Sequence, residues 1–229
     1  MKNICRIVVA LCIFVLGLGA EETNAKKIYL SIKAGASLME FSNSSYNSTT
    51  LGNWDREYDR SARDTVGMGT LAIGYYITPQ IRTELEYAYR KEHTYTKTPT
   101  NNNMANSKQK TAIQTVMANV AYDFDALEGI TPFVFGGIGI AHHNFDFYAK
   151  TIPPLHTYDG KKKTTSFAAN AGFGASYPLS SSTVIDFSYR FSWLGEGKWR
   201  ALRNDNADKG YGGADFSASE ILLGIRYVF

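Results

Sequence analysis

Eight times along this chain, apolar side chains occupy every second position over stretches of roughly ten residues, and this period of two decides what it can fold into. Such a period puts the apolar residues on one face of a strand and leaves the other to polar or small groups. Residues 28–38 set Leu30, Ile32, Ala34, Ala36 and Leu38 against Ser31, Lys33, Gly35 and Ser37. Residues 66–77 set Leu71, Ile73, Tyr75 and Ile77 against Ala72 and Gly74, and a tight Thr78-Pro79-Gln80 turn follows. The clearest run, 81–90, alternates Ile81, Thr83, Leu85, Tyr87 and Tyr89 with Arg82, Glu84, Glu86, Ala88 and Arg90. Residues 111–124, 166–177, 184–194 and 221–229 repeat the pattern. In the last of these, Ile221, Leu223, Ile225, Tyr227 and Phe229 oppose Gly224 and Arg226. Residues 132–148 are ambiguous, because Gly136, Gly137 and Gly139 blur the phase. Either Phe133 and Phe135 or Ile138 and Ile140 share the apolar face, and a bulge would let both pairs do so.

The solvent on each face follows from the charges. The polar face carries Lys33, Arg82, Glu84, Glu86, Arg90, Asp123, Asp186, Arg190, Glu220 and Arg226, five basic and five acidic. The opposite face is almost purely aliphatic and aromatic. An Arg or Lys facing lipid at mid-depth costs roughly 2–4 kcal/mol, so a clean apolar face of this length is what a bilayer demands. Long polar segments follow the first, third, fifth and seventh runs, and short turns follow the second, fourth and sixth. The expected fold is all-β: an eight-stranded antiparallel up-and-down transmembrane β-barrel with four long extracellular loops and short periplasmic turns. Eight strands leave an interior that side chains fill, so the ten charges form a paired network there and no wide pore is expected.

The N-terminus fits export. Lys2 and Arg6 precede an apolar stretch, residues 7–18, too short to span a bilayer as a helix, and a small and polar segment follows. We expect residues 1–25 to be a cleaved signal peptide, with cleavage after Ala25 or, alternatively, Ala20, and residues 26–229 to be the barrel domain. Cys12 is not set up for lipidation, because Leu11 stands where a small residue is needed. Cys5 and Cys12, the 2 cysteines of the chain, both lie in this segment, so the mature chain has no disulfide, thiol chemistry or cysteine metal site. The formal net charge of +3 survives cleavage, since Lys2 and Arg6 leave with Glu21 and Glu22; it is too mild to point to nucleic acid. Aromatic residues make up 14% of the chain, which suits strands and the interfacial girdles of a membrane barrel.

These segments carry a family resemblance. Leu71-Ala-Ile-Gly-Tyr-Tyr, Arg82-Thr-Glu-Leu-Glu-Tyr-Ala-Tyr, Asn119-Val-Ala-Tyr-Asp-Phe and Thr131-Pro-Phe-Val-Phe-Gly-Gly-Ile-Gly-Ile resemble the opacity-protein and small outer-membrane surface-antigen family, with its OmpX-like and OmpA-barrel-like porin relatives. Phe173-Gly-Ala-Ser-Tyr, Tyr189-Arg-Phe and Gly224-Ile-Arg-Tyr-Val-Phe continue the likeness. It covers nearly all of the chain after residue 25 except the loops. The resemblance implies an eight-stranded barrel of the bacterial outer membrane whose exposed loops are adhesive or antigenic, without fixing a ligand. The ending on Tyr227 and Phe229 resembles the signal read by the outer-membrane assembly machinery.

Candidate chemistry is sparse. His93, His142, His143 and His156 are the 4 histidines. His142 and His143 are adjacent on a strand, point to opposite faces and cannot chelate together, so no metal and no cofactor is expected. Either of them with Ser166 could mimic the His and Ser pair of lipid-A-modifying barrels, but no acid partner is spaced to complete it. Lys161, Lys162 and Lys163 are candidates for contact with lipopolysaccharide phosphates at the outer rim. In the last long loop, Trp199, Arg200, Leu202 and Arg203 are candidate partner-binding anchors. The sequence therefore supports a monomeric, non-enzymatic surface barrel that contacts outer-membrane lipid and, through its loops, a host or surface receptor. The alternatives are a lipid-A-modifying enzyme and a minor narrow pore.

Overall fold

Each apolar run becomes a strand, and each strand of the wall pairs antiparallel with its neighbours. The computed structural model describes residues 27–48, 52–54, 62–97, 104–151, 157–203 and 209–229; the expected signal segment lies outside them. The strands are β1 (Ile28–Ser48), β2 (Gly52–Trp54), β3 (Ala62–Tyr76), β4 (Ile81–Lys97), β5 (Met104–Asp123), β6 (Thr131–Thr151), β7 (Thr157–Pro178), β8 (Thr183–Arg203) and β9 (Lys209–Val228). β2 is a short hairpin arm paired only to the outer end of β1. The other eight run in order from β1 through β3 to β9, and β9 pairs back onto β1, from Tyr29↔Val228 to Ser48↔Gly210. The sheet closes into a barrel with no free edge at the bilayer, which satisfies the backbone where no water can.

The periodicity sets the faces. On β9, Ile221, Leu223 and Ile225 are at least half exposed, whereas Glu220, Leu222 and Arg226 are at most 2% exposed. Two aromatic girdles bracket the apolar band. Tyr122, Phe124, Tyr177, Tyr227 and Phe229 mark the turn side, and Tyr89, Phe167, Phe191 and Trp193 the far side. The turns are built locally. Thr78 Oγ1 accepts from the amides of Gln80 (3.3 Å) and Ile81 (2.9 Å), and Ser180 Oγ likewise from Ser182 and Thr183. Between β5 and β6, Glu128 (φ 51°) and Gly129 (φ 85°) make the turn, both left-handed as a two-residue hairpin requires.

The ambiguous segment is resolved. Ile138 and Ile140 face outward, while Phe133 is buried in the lumen. The register between β6 and β7 runs unbroken from Thr131↔Ser176 to Lys150↔Thr157, so no bulge is present. Gly172 and Gly174 make this phase feasible. A Cβ on them would lie 2.7 Å from Phe135 Cζ and 2.5 Å from Phe133 Cζ, so the two rings occupy space that only glycine leaves open.

The strand ends differ from those read from the sequence. β1, β4, β7, β8 and β9 run well past the apolar band, so much of each long outer segment is strand. Beyond the bilayer the outward face of a strand meets water in place of lipid. The apolar alternation that reveals a strand therefore stops, although the hydrogen-bonded ladder continues. Residues 43–48 continue β1, and Trp199, Arg200, Leu202 and Arg203 belong to β8, paired with Gly212, Tyr211, Lys209 and Tyr158.

Candidate functional site

Three regions of the barrel carry chemistry: its interior, the belt just above the lipid-facing band, and the outer crown. Alternate positions of every strand send a polar or charged side chain inward, and ring closure brings residues distant in sequence together. Among the ten inward charges, Glu220 is central. Its carboxylate accepts from Arg90 Nε at 2.6 Å and Arg190 Nε at 2.5 Å, and from Ser37 (3.0 Å) and Ser192 (3.1 Å). Arg190 also reaches Glu86, and Lys33 lies 3.4 Å from Glu84 and 3.9 Å from Glu86. Nearer the turn side, Arg82 Nε bonds both Asp123 oxygens at 3.0 and 3.1 Å, and its guanidinium lies over the Phe133 ring. Arg226 bonds Asp186 at 2.9 Å and Ser176 at 3.0 Å. All ten groups are buried, and each basic group meets an acidic one.

Above this ionic layer the lumen turns apolar, a feature the sequence reading did not contain. Met39, Ile113, Met117, Phe145, Leu194 and Phe216 form one buried cluster. The signal was present: the inward phase of Glu220 continues through Ala218 to Phe216, and that of His143 to Phe145. Space remaining between ionic layer and plug, among Arg90, Thr115, Met117, Asn170, Arg190 and Leu194, amounts to about 160 Å³ of interstices. Among the described residues, side chains fill this part of the lumen.

His143 and Ser166 do meet. His143 Nε2 lies 2.9 Å from Ser166 Oγ and 3.0 Å from the Leu194 carbonyl, and Ser166 Oγ donates to that same carbonyl at 2.9 Å. A carbonyl only accepts, so Nε2 carries the proton and cannot take one from Ser166. Nδ1, the nitrogen that would be basic, is buried with no partner among the described residues, and the ring lies against Phe145 and Phe216. His143 lies beyond Ile140, outside the lipid-facing band, and its burial pushes the imidazole down to about 4. This geometry suits a polar knot that fixes the β7–β8 junction, not an activated nucleophile. His142 faces outward and bonds Thr165 Oγ1 at 3.0 Å. His156 lies outside the described residues, as does the His93 side chain. Among the described residues no group of three His, Cys, Asp or Glu side chains could hold a metal ion.

The lysine run divides. Lys161 and Lys163 pair with Asp146 and Asn144 on the outward face, but Lys162 pairs with inward-facing Phe145 and points to the barrel mouth. As a contact for lipid phosphates, Lys162 is therefore corrected out of the set: successive strand residues take opposite faces. Trp199, Arg200 and Arg203 are corrected from loop to strand, and their side chains lie outside the described residues. Tyr227 and Phe229 face outward at the turn side, their rings 5.1 Å apart.

The crown is cut by two seams among the described residues. Pairing of β3 with β4 ends at Met68↔Arg90, and pairing of β7 with β8 lapses between Ala169↔Trp193 and Asp159↔Leu202. Four strands separate the seams on either side, so the outer wall divides into a β4–β7 face and a face of β8, β9, β1 and β3, which β7 and β8 rejoin at Tyr158↔Arg203 and Asp159↔Leu202. Across the second seam, Thr164 Oγ1 donates to the Lys198 carbonyl at 2.7 Å.

Comparison with known proteins agrees with this architecture. The chain is 29% identical over 245 residues to the outer membrane protein PagN of Salmonella typhimurium, covering 96% of this chain and 98% of PagN. It is 28% identical over 170 residues to a Rickettsia conorii protein whose name assigns it a proposed adhesin role, covering 69% of this chain and 66% of that protein. Among solved structures, the outer membrane protein OprG of Pseudomonas aeruginosa superposes with a TM-score of 0.57 at 15% identity, over 89% of this chain and 97% of OprG. The outer membrane protease OmpT of Escherichia coli superposes with a TM-score of 0.52 at 11% identity, over 92% of this chain and 99% of OmpT; at such identities the likeness is one of fold alone. Residues 8–229 match the outer membrane protein beta-barrel domain, and the chain belongs to that family of outer-membrane barrels.

Proposed function

We propose that this barrel is a surface adhesin and antigen that works through its extracellular crown, without enzymatic activity. The observation that carries this reading is the division of the wall. On β6 the outward face turns polar after Ile140, with His142, Asn144 and Asp146 in succession, yet the strand continues to Thr151. At about 3.3 Å per residue and a tilt near 40°, the wall rises roughly 25–30 Å beyond the lipid edge. Anchoring needs only the apolar band, also about 25 Å tall, so the outer half of the barrel serves another purpose. A filled lumen supports contact at the surface over transport through it. The relationship to PagN and to the rickettsial protein supports the same reading.

The test is display of the full chain on a non-adherent bacterium beside a version with the crown trimmed to short turns near the girdle. Adhesion to host cells should follow the full crown, while both forms keep the heat-dependent gel shift of a folded barrel. Equal adhesion by the trimmed form sinks the proposal. The enzymatic alternative is checked by mass spectrometry of lipid A with and without expression, where we expect an unchanged profile.

A further inference from the structure

The short turns at the periplasmic end of the barrel are not alike. Each begins with a large outward residue at the edge of the apolar band: Ile77 after β3, Phe124 after β5 and Leu179 after β7, all about half exposed. Two of the turns then become polar, as Thr78-Pro79-Gln80 and Ser180-Ser181-Ser182, and return at once. The turn between β5 and β6 goes further. Beyond Phe124 the chain inserts Asp125 and Ala126 and then closes a small tongue. In it Leu127 and Ile130 exchange backbone hydrogen bonds at 2.8 and 2.9 Å around Glu128 and Gly129. Leu127 is 68% exposed and Ile130 47%.

Phase decides which way this pair looks. Ile130 keeps the alternation of Pro132 and Val134, and Val134 faces outward. Residues directly opposed in an antiparallel bridge share a face, so Leu127 looks outward with Ile130. The Phe124 amide donates to the Pro132 carbonyl at 2.9 Å, which puts those two residues level at the turn-side girdle. At strand rise and barrel tilt, Ile130 lies about 5 Å beyond that level. The tongue also leans on the girdle: a Cβ on Gly129 would lie 4.0 Å from Tyr177 Cε2, an ordinary van der Waals contact. The outward apolar surface thus runs from Val134 and Phe124 through Ile130 to Leu127, past the level at which the other two turns become polar.

Continuity with the lipid-facing band decides what covers the pair. The band lies in hydrocarbon, and about 5 Å beyond its edge is the boundary between acyl chains and headgroups, where apolar side chains of interfacial segments are seated. A water-soluble protein would have to displace headgroups to meet an outward pair at this level. Asp125 and Glu128 flank the pair and are exposed, which favours headgroups that carry an amine over headgroups that are only anionic.

We propose that the β5–β6 turn is an interfacial anchor. Leu127 and Ile130 are seated in the periplasmic leaflet of the outer membrane, among lipids whose amine-bearing zwitterionic headgroups meet Asp125 and Glu128. The anchor fixes the depth of the β5–β7 arc, while the polar tips of the other two turns stay in water.

The test compares thiols placed on two turns. Leu127→Cys and Gln80→Cys are each purified from outer membranes and reconstituted in vesicles of phosphatidylethanolamine and phosphatidylcholine. Their modification by a water-soluble, mass-tagged maleimide is followed over time. Gln80, exposed on the β3–β4 turn at the same end, reports how many barrels present their turns to the reagent. Wild type, whose Cys5 and Cys12 both lie in the expected signal segment, is the blank. Position 127 should react roughly tenfold more slowly than position 80, since exposure of the thiol requires Ile130 to leave the leaflet with it. Adding Ile130→Ser to Leu127→Cys should bring the rate close to that of position 80, and vesicles of phosphatidylglycerol alone should also raise it. Equal rates at the two positions, protection that survives Ile130→Ser, or protection unchanged in phosphatidylglycerol would each overturn the proposal. Protection found in native outer membranes but lost in the vesicles would show a protein cover and overturn it too. If the combined variant lacks the heat-dependent gel shift, Ile130→Thr is measured in its place. No readout involves adhesion, so the anchor and the proposed function are tested separately.

Discussion

At the scale of single residues, Glu220 joins β9 to β4 and β8 through two arginines in a lumen with almost no water-sized space. Removing its carboxylate leaves Arg90 and Arg190 short of a counter-charge, and stranding a buried partner costs about 3–5 kcal/mol. Glu220→Ala should therefore lower the midpoint of the heat-dependent gel shift in detergent, well beyond the effect of Lys198→Ala on the exposed rim. A midpoint equal to wild type would show that the network contributes little. His143 makes the second prediction. Burial holds the folded imidazole near 4, below its ordinary 6.5, so the unfolded chain binds this proton first as pH falls. Stability should decline as pH drops from about 6.5 to about 4 and level off below, and His143→Gln should flatten that slope. Both residues were open to the sequence reading, but their partners were not: Glu220 lies 130 positions from Arg90, and His143 lies 51 from Leu194.

At the scale of elements, the bilayer is what makes a strand legible. Between the girdles, lipid on one face and a filled lumen on the other impose the alternation, and the strands read from sequence coincide with the observed ones there. Past Leu38, Arg90 or Leu194 no lipid faces the wall, the pattern dissolves, and β1, β4 and β8 continue unseen. Gly195 marks one such transition. Its φ of +71° and the shift between Trp193 and Gly195 form a bulge, and a Cβ there would sit 2.5 Å from the Phe167 carbonyl. Gly195→Ala should cost about 1–3 kcal/mol and loosen the outer β7–β8 seam, seen as faster amide exchange in β8 beyond Leu194. Exchange as slow as wild type would show that the bulge tolerates a side chain. Phe229 follows Val228, the last residue of β9, and its amide bonds the Ile28 carbonyl at 2.9 Å. We expect Phe229→Ala to lower the fraction assembled in outer membranes while leaving refolding in detergent nearly unchanged. A parallel loss in both would assign Phe229 to stability, not to recognition by the assembly machinery.

At the scale of the whole molecule, a paired ionic layer beneath an apolar plug closes the lumen. Planar bilayers carrying the purified barrel should show no large, stable conductance. A steady, wide channel would reopen the pore reading. Fold, closure and membrane followed from sequence because they rest on a repeated local rule, the fate of every second side chain on a two-solvent wall. The outward face, the ten inward charges and the closing strand Ile221 to Phe229 were all fixed by that rule. What only the tertiary structure decided needs neighbours from other strands. Gly172 and Gly174 admit Phe135 and Phe133 to the lumen, Phe145 meets Phe216 to plug it, and the two seams divide the crown. Lys161 and Lys163 part from Lys162 only once strand pairing extends above the membrane. A period of two states which face a residue takes; register and closure state what it touches there, and those are properties of the ring, not of any one segment.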